Sequence, residues 1–264
     1  MEPEQLRRLQ KSKAKRKLTI NLNIPKSWND LNNRQLKKIA GYSHSNLSGV
    51  LFDYKMFLAL LDVRWWQFLK NWKALKTVRN VGFSSLKEHY SWLQSSLGLT
   101  TFIPTIKTKS KRLHAPSDRI TNLTVNEFAH ADDLYLGWFN TQDFEYLHYL
   151  AAVLYRELDT NGKRVPFDKT ELDKRAKQLS KLDKQTLLAI SLSYQGSRSY
   201  MISQFPVVFP KPKGKTKTPR NSGFGKLVLH LSGGKFGTHN ETKNTNVYTF
   251  LSEFEEQLKK KPYA

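Results

Sequence analysis
The 264 residues carry 44 Lys and Arg against 22 Asp and Glu, a net charge of +22, with 39% hydrophobic and 12% aromatic side chains and no cysteine. That is enough apolar material to bury a sizeable core, so the chain is not disordered as a whole, and the lack of thiols excludes disulfides and thiolate metal sites. No run approaches the roughly 18 apolar residues that cross a bilayer, and residues 1–17 lack the apolar centre of a secretory signal, so a soluble protein with no membrane partner is expected.

Residues 1–17 hold Arg7, Arg8, Lys11, Lys13, Lys15, Arg16 and Lys17 against two acids and read as a basic arm. Leu18 to Ile24 alternates apolar and polar residues, the period of a short strand, and Pro25 ends it. Asn32 and Gln35 are spaced as a capping box, opening a helix with an apolar face of Leu36, Ile39 and Ala40 that stops at Gly41. From Tyr54 to Leu75 the residues Phe57, Leu58, Leu61, Trp65, Phe68, Leu69 and Trp72 recur at helical spacing. Arg64, Lys70, Lys73, Lys76 and Arg79 are interleaved with them, a mixture able to stack bases and pair phosphates. Large aromatics at this spacing ordinarily pack into a core, so the expectation is a helix that buries Trp65, Phe68, Leu69 and Trp72 and leaves its basic face in water.

Ser85 and Glu88 open a further helix that Gly98 closes, and a basic loop with Lys107, Lys109, Lys111 and Arg112 follows at 105–112. Thr124 and Glu127 form a second capping box before a face of Phe128, Ala131, Leu134, Tyr135 and Trp138. After Asn140-Thr141, Phe144, Leu147, Leu150, Ala151 and Leu154 line the next helix. Asp168 with Glu171 caps another, and Asp183 starts one that runs to about Met201. Phe205 to Pro210 reads as an extended exit. The stretch 211–222, with Lys211, Lys213, Lys215, Lys217 and Arg220, cannot pack a core and reads as a linker. Two short helices, Phe224–Leu231 and Asn246–Lys260, complete the chain.

The expected fold is therefore mainly α. It comprises a basic arm (1–17), a helical domain with a short N-terminal strand (18–210), a basic linker (211–222) and a small helical C-terminal segment (223–264). The three basic stretches 1–17, 107–112 and 211–220 hold 14 of the 22 net positive charges. Charge concentrated in this way attracts an anionic partner, either nucleic acid or an acidic protein.

Motifs for chemistry are weak. Glu127/His130 and Glu145/His148 are each an i, i+3 pair, as in di-iron bundles, but in a hairpin turning at Asn140-Thr141 the two pairs differ in depth by roughly 9 Å. Asp132 and Asp133 point about 100° apart on a helix and read as a solvated face. Gly223-Phe-Gly225-Lys226 lacks the phosphate-loop spacing, and Gly196-Ser197-Arg198-Ser199 lacks that of a nucleophile elbow. No cofactor, metal or catalytic residue is expected, and no enzyme activity.

Several phrases together carry a resemblance. They are Ile24-Pro-Lys-Ser-Trp-Asn-Asp-Leu31, Ile120-Thr-Asn-Leu-Thr-Val-Asn-Glu-Phe-Ala-His-Ala-Asp132 with Tyr135, Leu150-Ala-Ala-Val-Leu-Tyr-Arg156, Pro166-Phe-Asp168, Arg175-Ala176 and Asn246-Val-Tyr-Thr-Phe-Leu-Ser-Glu-Phe-Glu255. In this order they resemble poorly characterised proteins of bacteriophage and prophage structural clusters near the tail genes, some regarded as tail-assembly-chaperone-like. The resemblance implies a non-enzymatic morphogenesis protein, acting in the bacterial cytoplasm or within the virion, whose partners are other phage structural proteins. The high charge departs from what a cytoplasmic chaperone needs and suits a component that touches DNA or an acidic tail protein. A nucleic-acid binder without sequence preference, using the basic arms, is the alternative.

Overall fold
The computed structural model describes residues 24–62, 66–81, 87–88, 90–94, 98–108, 111–210, 224 and 237–260. Nine α-helices, four short 3-10 helices and one two-stranded sheet make up its regular structure among these residues, so the protein is mainly α. The helices are α1 (Asn33–Ser43), α2 (Gly49–Leu60), α3 (Phe68–Val81), α4 (Val125–Thr141), α5 (Phe144–Leu154), α6 (Leu172–Leu179), α7 (Lys184–Gln204), α8 (His239–Asn244) and α9 (Val247–Lys260). The proposed N-terminal arm, the strand before Ile24 and the 211–222 linker lie outside the described residues.

Side-chain caps set most helix starts. Asn32 accepts the N–H groups of Arg34 and Gln35 while the Gln35 side chain takes the N–H of Asn32. Thr124 with Glu127, and Thr238 with Glu241, repeat that reciprocal box at α4 and α8. Each box satisfies two donors that a helix start would otherwise leave open. Asp183 caps α7 through Thr186, and Asp168 caps a 3-10 turn, Lys169–Glu171, that leads into α6. At its other end α4 stops at Gln142, which takes a left-handed φ of 58°.

The core forms where apolar faces meet. Helix α5 is the centre: Leu150 to Tyr155 is fully enclosed, with α4, α6 and α7 packed around it. Helix α7 lies on α1 and α5. Its Gly196 permits the extended chain at Leu99 to press on the helix, because a Cβ there would overlap the Leu99 carbonyl. The Tyr155 hydroxyl donates to the Ile103 carbonyl at 2.8 Å and Asn29 holds the backbone at Thr100 and Thr101, fixing the same segment from two other sides. Helices α8 and α9 pack on α4, and the Phe224 ring meets Phe128 edge-on at 4.8 Å and Phe250 at 6.0 Å. The Val125 N–H donates to the Thr245 carbonyl and the Val247 N–H to that of Leu123, so the chain after 237 shares the main core.

Several elements differ from the expectation. Helix α1 continues through Gly41 to Ser43, since that glycine is where α1 approaches Gln185 of α7. The run from Tyr54 to Leu75 is two helices rather than one. The chain turns after Leu60, where Asp62 has a left-handed φ of 51° and Arg34 pairs with it. The basic loop at 105–112 contains an antiparallel hairpin, β1 (Thr105–Lys107) with β2 (Arg112–His114), which buries Ile106 and Leu113. Phe205 to Pro210 turns back on itself, the Phe209 N–H meeting the Phe205 carbonyl.

Candidate functional site
The largest departure from the expectation is the placement of α3. Phe68 is 72% exposed, Leu69 77%, Trp72 58% and Leu75 50%. Phe68, Trp72 and Leu75 follow the i, i+4, i+7 spacing of one helical stripe, whereas Thr77, on the opposite side, is buried and bonds back to the Lys73 carbonyl. The stripe expected to enter the core therefore points into solvent. Lys73 and Lys76 are exposed beside it, with the Lys76 ammonium 4.9 Å over the Trp72 ring. Helix α3 has four basic residues and no acidic one, and no acid occurs between Asp62 and Glu88. Trp66, just before the helix, and Val50 and Leu51, at the start of α2, are exposed as well.

The other charged candidates are scattered. Lys107, Lys111 and Arg112 are exposed on the hairpin, and Lys111 spends its charge on Glu157 at 2.6 Å. Arg7, Arg8, Lys11, Lys13, Lys15, Arg16, Lys17, Arg64, Lys109, Lys211, Lys213, Lys215, Lys217 and Arg220 lie outside the described residues. Lys70 and Arg79 belong to α3.

The buried carboxylates are committed to arginines. Asp132, expected on a solvated face, is instead buried and pairs with Arg198 of α7, with the Tyr194 hydroxyl 3.5 Å away; Asp133 beside it is exposed. Glu127 is fully enclosed and meets Arg156 at 2.6 Å. His130 turns its Nδ1 to the Asn126 carbonyl and its ring toward Phe167. Among the described residues no three His, Asp or Glu converge as metal ligands.

The Glu127–Arg156 pair forms the floor of a cleft of about 750 Å³ between the hairpin, the start of α4 and the loop 158–166. Backbone bonds in both directions between His114 and Arg156 join two of these walls. The third is built by a tight turn in which Asp159 accepts the N–H groups of Asn161 and Lys163, and Gly162 takes a φ of 72° that a side chain would disfavour. That turn returns Arg164 to the cleft, where it donates to the Leu154 carbonyl at 2.7 Å and to Asn122 at 3.3 Å. Burial, and then the neighbouring Arg156 cation, pull the Arg164 guanidinium down to about 10.

No protein family matches the chain, and no curated protein or solved structure is significantly similar to it. Sequence reasoning located α3 as an aromatic–basic helix but turned it the wrong way. It missed Arg156 and Arg164 altogether. The one local signal for Arg164 was the Asp159-Thr-Asn-Gly162 turn, which reverses the chain toward α5.

Proposed function
We propose that the protein is a non-enzymatic bacteriophage morphogenesis protein that docks an acidic structural protein on the exposed face of α3. The outward apolar stripe of Phe68, Leu69, Trp72 and Leu75 carries this reading. Each such side chain gains about 1.5–3 kcal/mol when a partner removes it from water, against about 0–1 kcal/mol for an exposed ion pair. The apolar contacts therefore provide the affinity. The four cations of α3, with no acid among them, select an acidic partner and speed encounter. The resemblance of the 24–255 phrases to phage tail-region proteins supplies the biological setting. The commitment of Glu127 and Asp132 to arginine partners supports a role without catalysis.

Binding of nucleic acid without sequence preference is the second reading, favoured by Trp72 stacked under Lys76. Base stacking would use Trp72 and Phe68 but has no use for Leu69 and Leu75. The two readings separate with Leu69→Ser/Leu75→Ser in the full chain. Co-purification with a tail-region structural protein of the same phage is expected to fall at least tenfold, while retention of labelled single-stranded DNA at low salt stays unchanged. If protein capture survives the double substitution and DNA retention is strong, steeply salt-dependent and lost in Trp72→Ala, the nucleic-acid reading replaces the first.

A further inference from the structure
The cleft over Glu127 has a charge balance that its own residues do not close. Two guanidiniums, Arg156 and Arg164, share one enclosed carboxylate; Arg156 is only 2% exposed. A buried charge without a partner is costly, and proteins ordinarily pair it. At the rim, exposed Lys163 offsets exposed Asp118, leaving the guanidinium excess in place. The Nε atoms of Arg156 and of Arg164 are both buried, and neither has a hydrogen-bond partner among the described residues. Other bonds fix the rest of each side chain: Arg156 to Glu127 and the Val165 carbonyl, Arg164 to Asn122 and the Leu154 carbonyl.

From this arrangement we propose that the cleft is an oxyanion-binding site, taking the phosphate or carboxylate group of a ligand between Arg156 and Arg164. Planar guanidiniums match the oxygens of such groups better than an ammonium does, and their charge-assisted bonds are among the strongest available. The cleft is wider than a lone phosphate needs. Phe102, Pro104, Leu158 and Pro166 add apolar walls, so the ligand carries a small apolar body on its anionic head. The site uses no residue of α3 and stands or falls separately from the docking surface.

The test is calorimetric titration of the full-length protein with inorganic phosphate and, separately, with acetate, against chloride at equal ionic strength. One of the two oxyanions is expected to bind saturably and to raise the melting temperature by mass action. Preference for phosphate assigns a phosphoryl group to the natural ligand, and preference for acetate assigns a carboxylate. Arg164→Gln is expected to weaken binding roughly tenfold or more, the scale of one lost charge-assisted contact. Lys163→Glu, on the exposed rim and outside the fold's hydrogen-bonded side chains, is expected to weaken it several-fold with an unchanged circular dichroism spectrum, and it carries the test if Arg164→Gln fails to fold. Lys73→Gln/Lys76→Gln on α3 leaves binding intact. No saturable binding at tens of millimolar, or equal binding by wild type and Lys163→Glu, would overturn the site and leave only diffuse attraction to a basic surface.

Discussion
Glu127 has two tasks at once. One oxygen accepts the Thr124 N–H and completes the start of α4, and the other neutralises Arg156 in the enclosed floor of the cleft. Gln can perform the first task but not the second. Glu127→Gln therefore leaves two neighbouring guanidiniums without a carboxylate, and the expected cost is about 3–5 kcal/mol in chemical denaturation. Adding Arg156→Met should recover much of that loss, because the charge that needed a partner is gone. A single-variant cost below about 1 kcal/mol would mean that the pair is solvated in solution. The capping half of this role was legible in the spacing of Thr124 and Glu127. The ionic half was not, because Arg156 reaches Glu127 only after α5 has folded back along α4.

At the scale of elements, α9 is tied to the body by Tyr248, whose hydroxyl donates to the Arg119 carbonyl at 2.8 Å. Burial, and the nearby Tyr200 hydroxyl, push the Tyr248 phenol up to about 12, against about 10 in an unfolded chain. A raised value means that the folded state keeps the proton longer. The contribution is whole below pH about 10 and is lost as pH climbs toward about 12. Tyr155 and Tyr194, enclosed in the core and also raised by burial, act in the same direction. The urea midpoint is expected to fall across this window, and less steeply in Tyr248→Phe; identical slopes would show that α9 is not held this way.

Caps on α1, α4 and α7 and inward apolar faces on α1, α4 and α5 were readable in the sequence because both depend on residues within a turn or two. The direction of α3 was not, since an amphipathic stripe reports that a helix has an apolar side and not whose core that side enters. The helix-ending turn at Asp62, stabilised by Arg34 from α1, makes α3 a separate helix from α2. Likewise Asp132 reads as a surface residue until Arg198, 66 positions later, is brought beside it.

For the whole molecule, a closed core built on α5 coexists with an apolar helix face turned outward. A core of this extent does not need α3's stripe for stability, so Phe68, Leu69, Trp72 and Leu75 are free to serve association. The most direct measurement places a photo-crosslinking amino acid at Trp72 in the full chain, in the cells that naturally make the protein, with the same group at exposed Lys174 as the control position. Position 72 is expected to capture one acidic structural protein in constant proportion while position 174 does not. Capture of nucleic acid alone at position 72, or the same products from both positions, would contradict it.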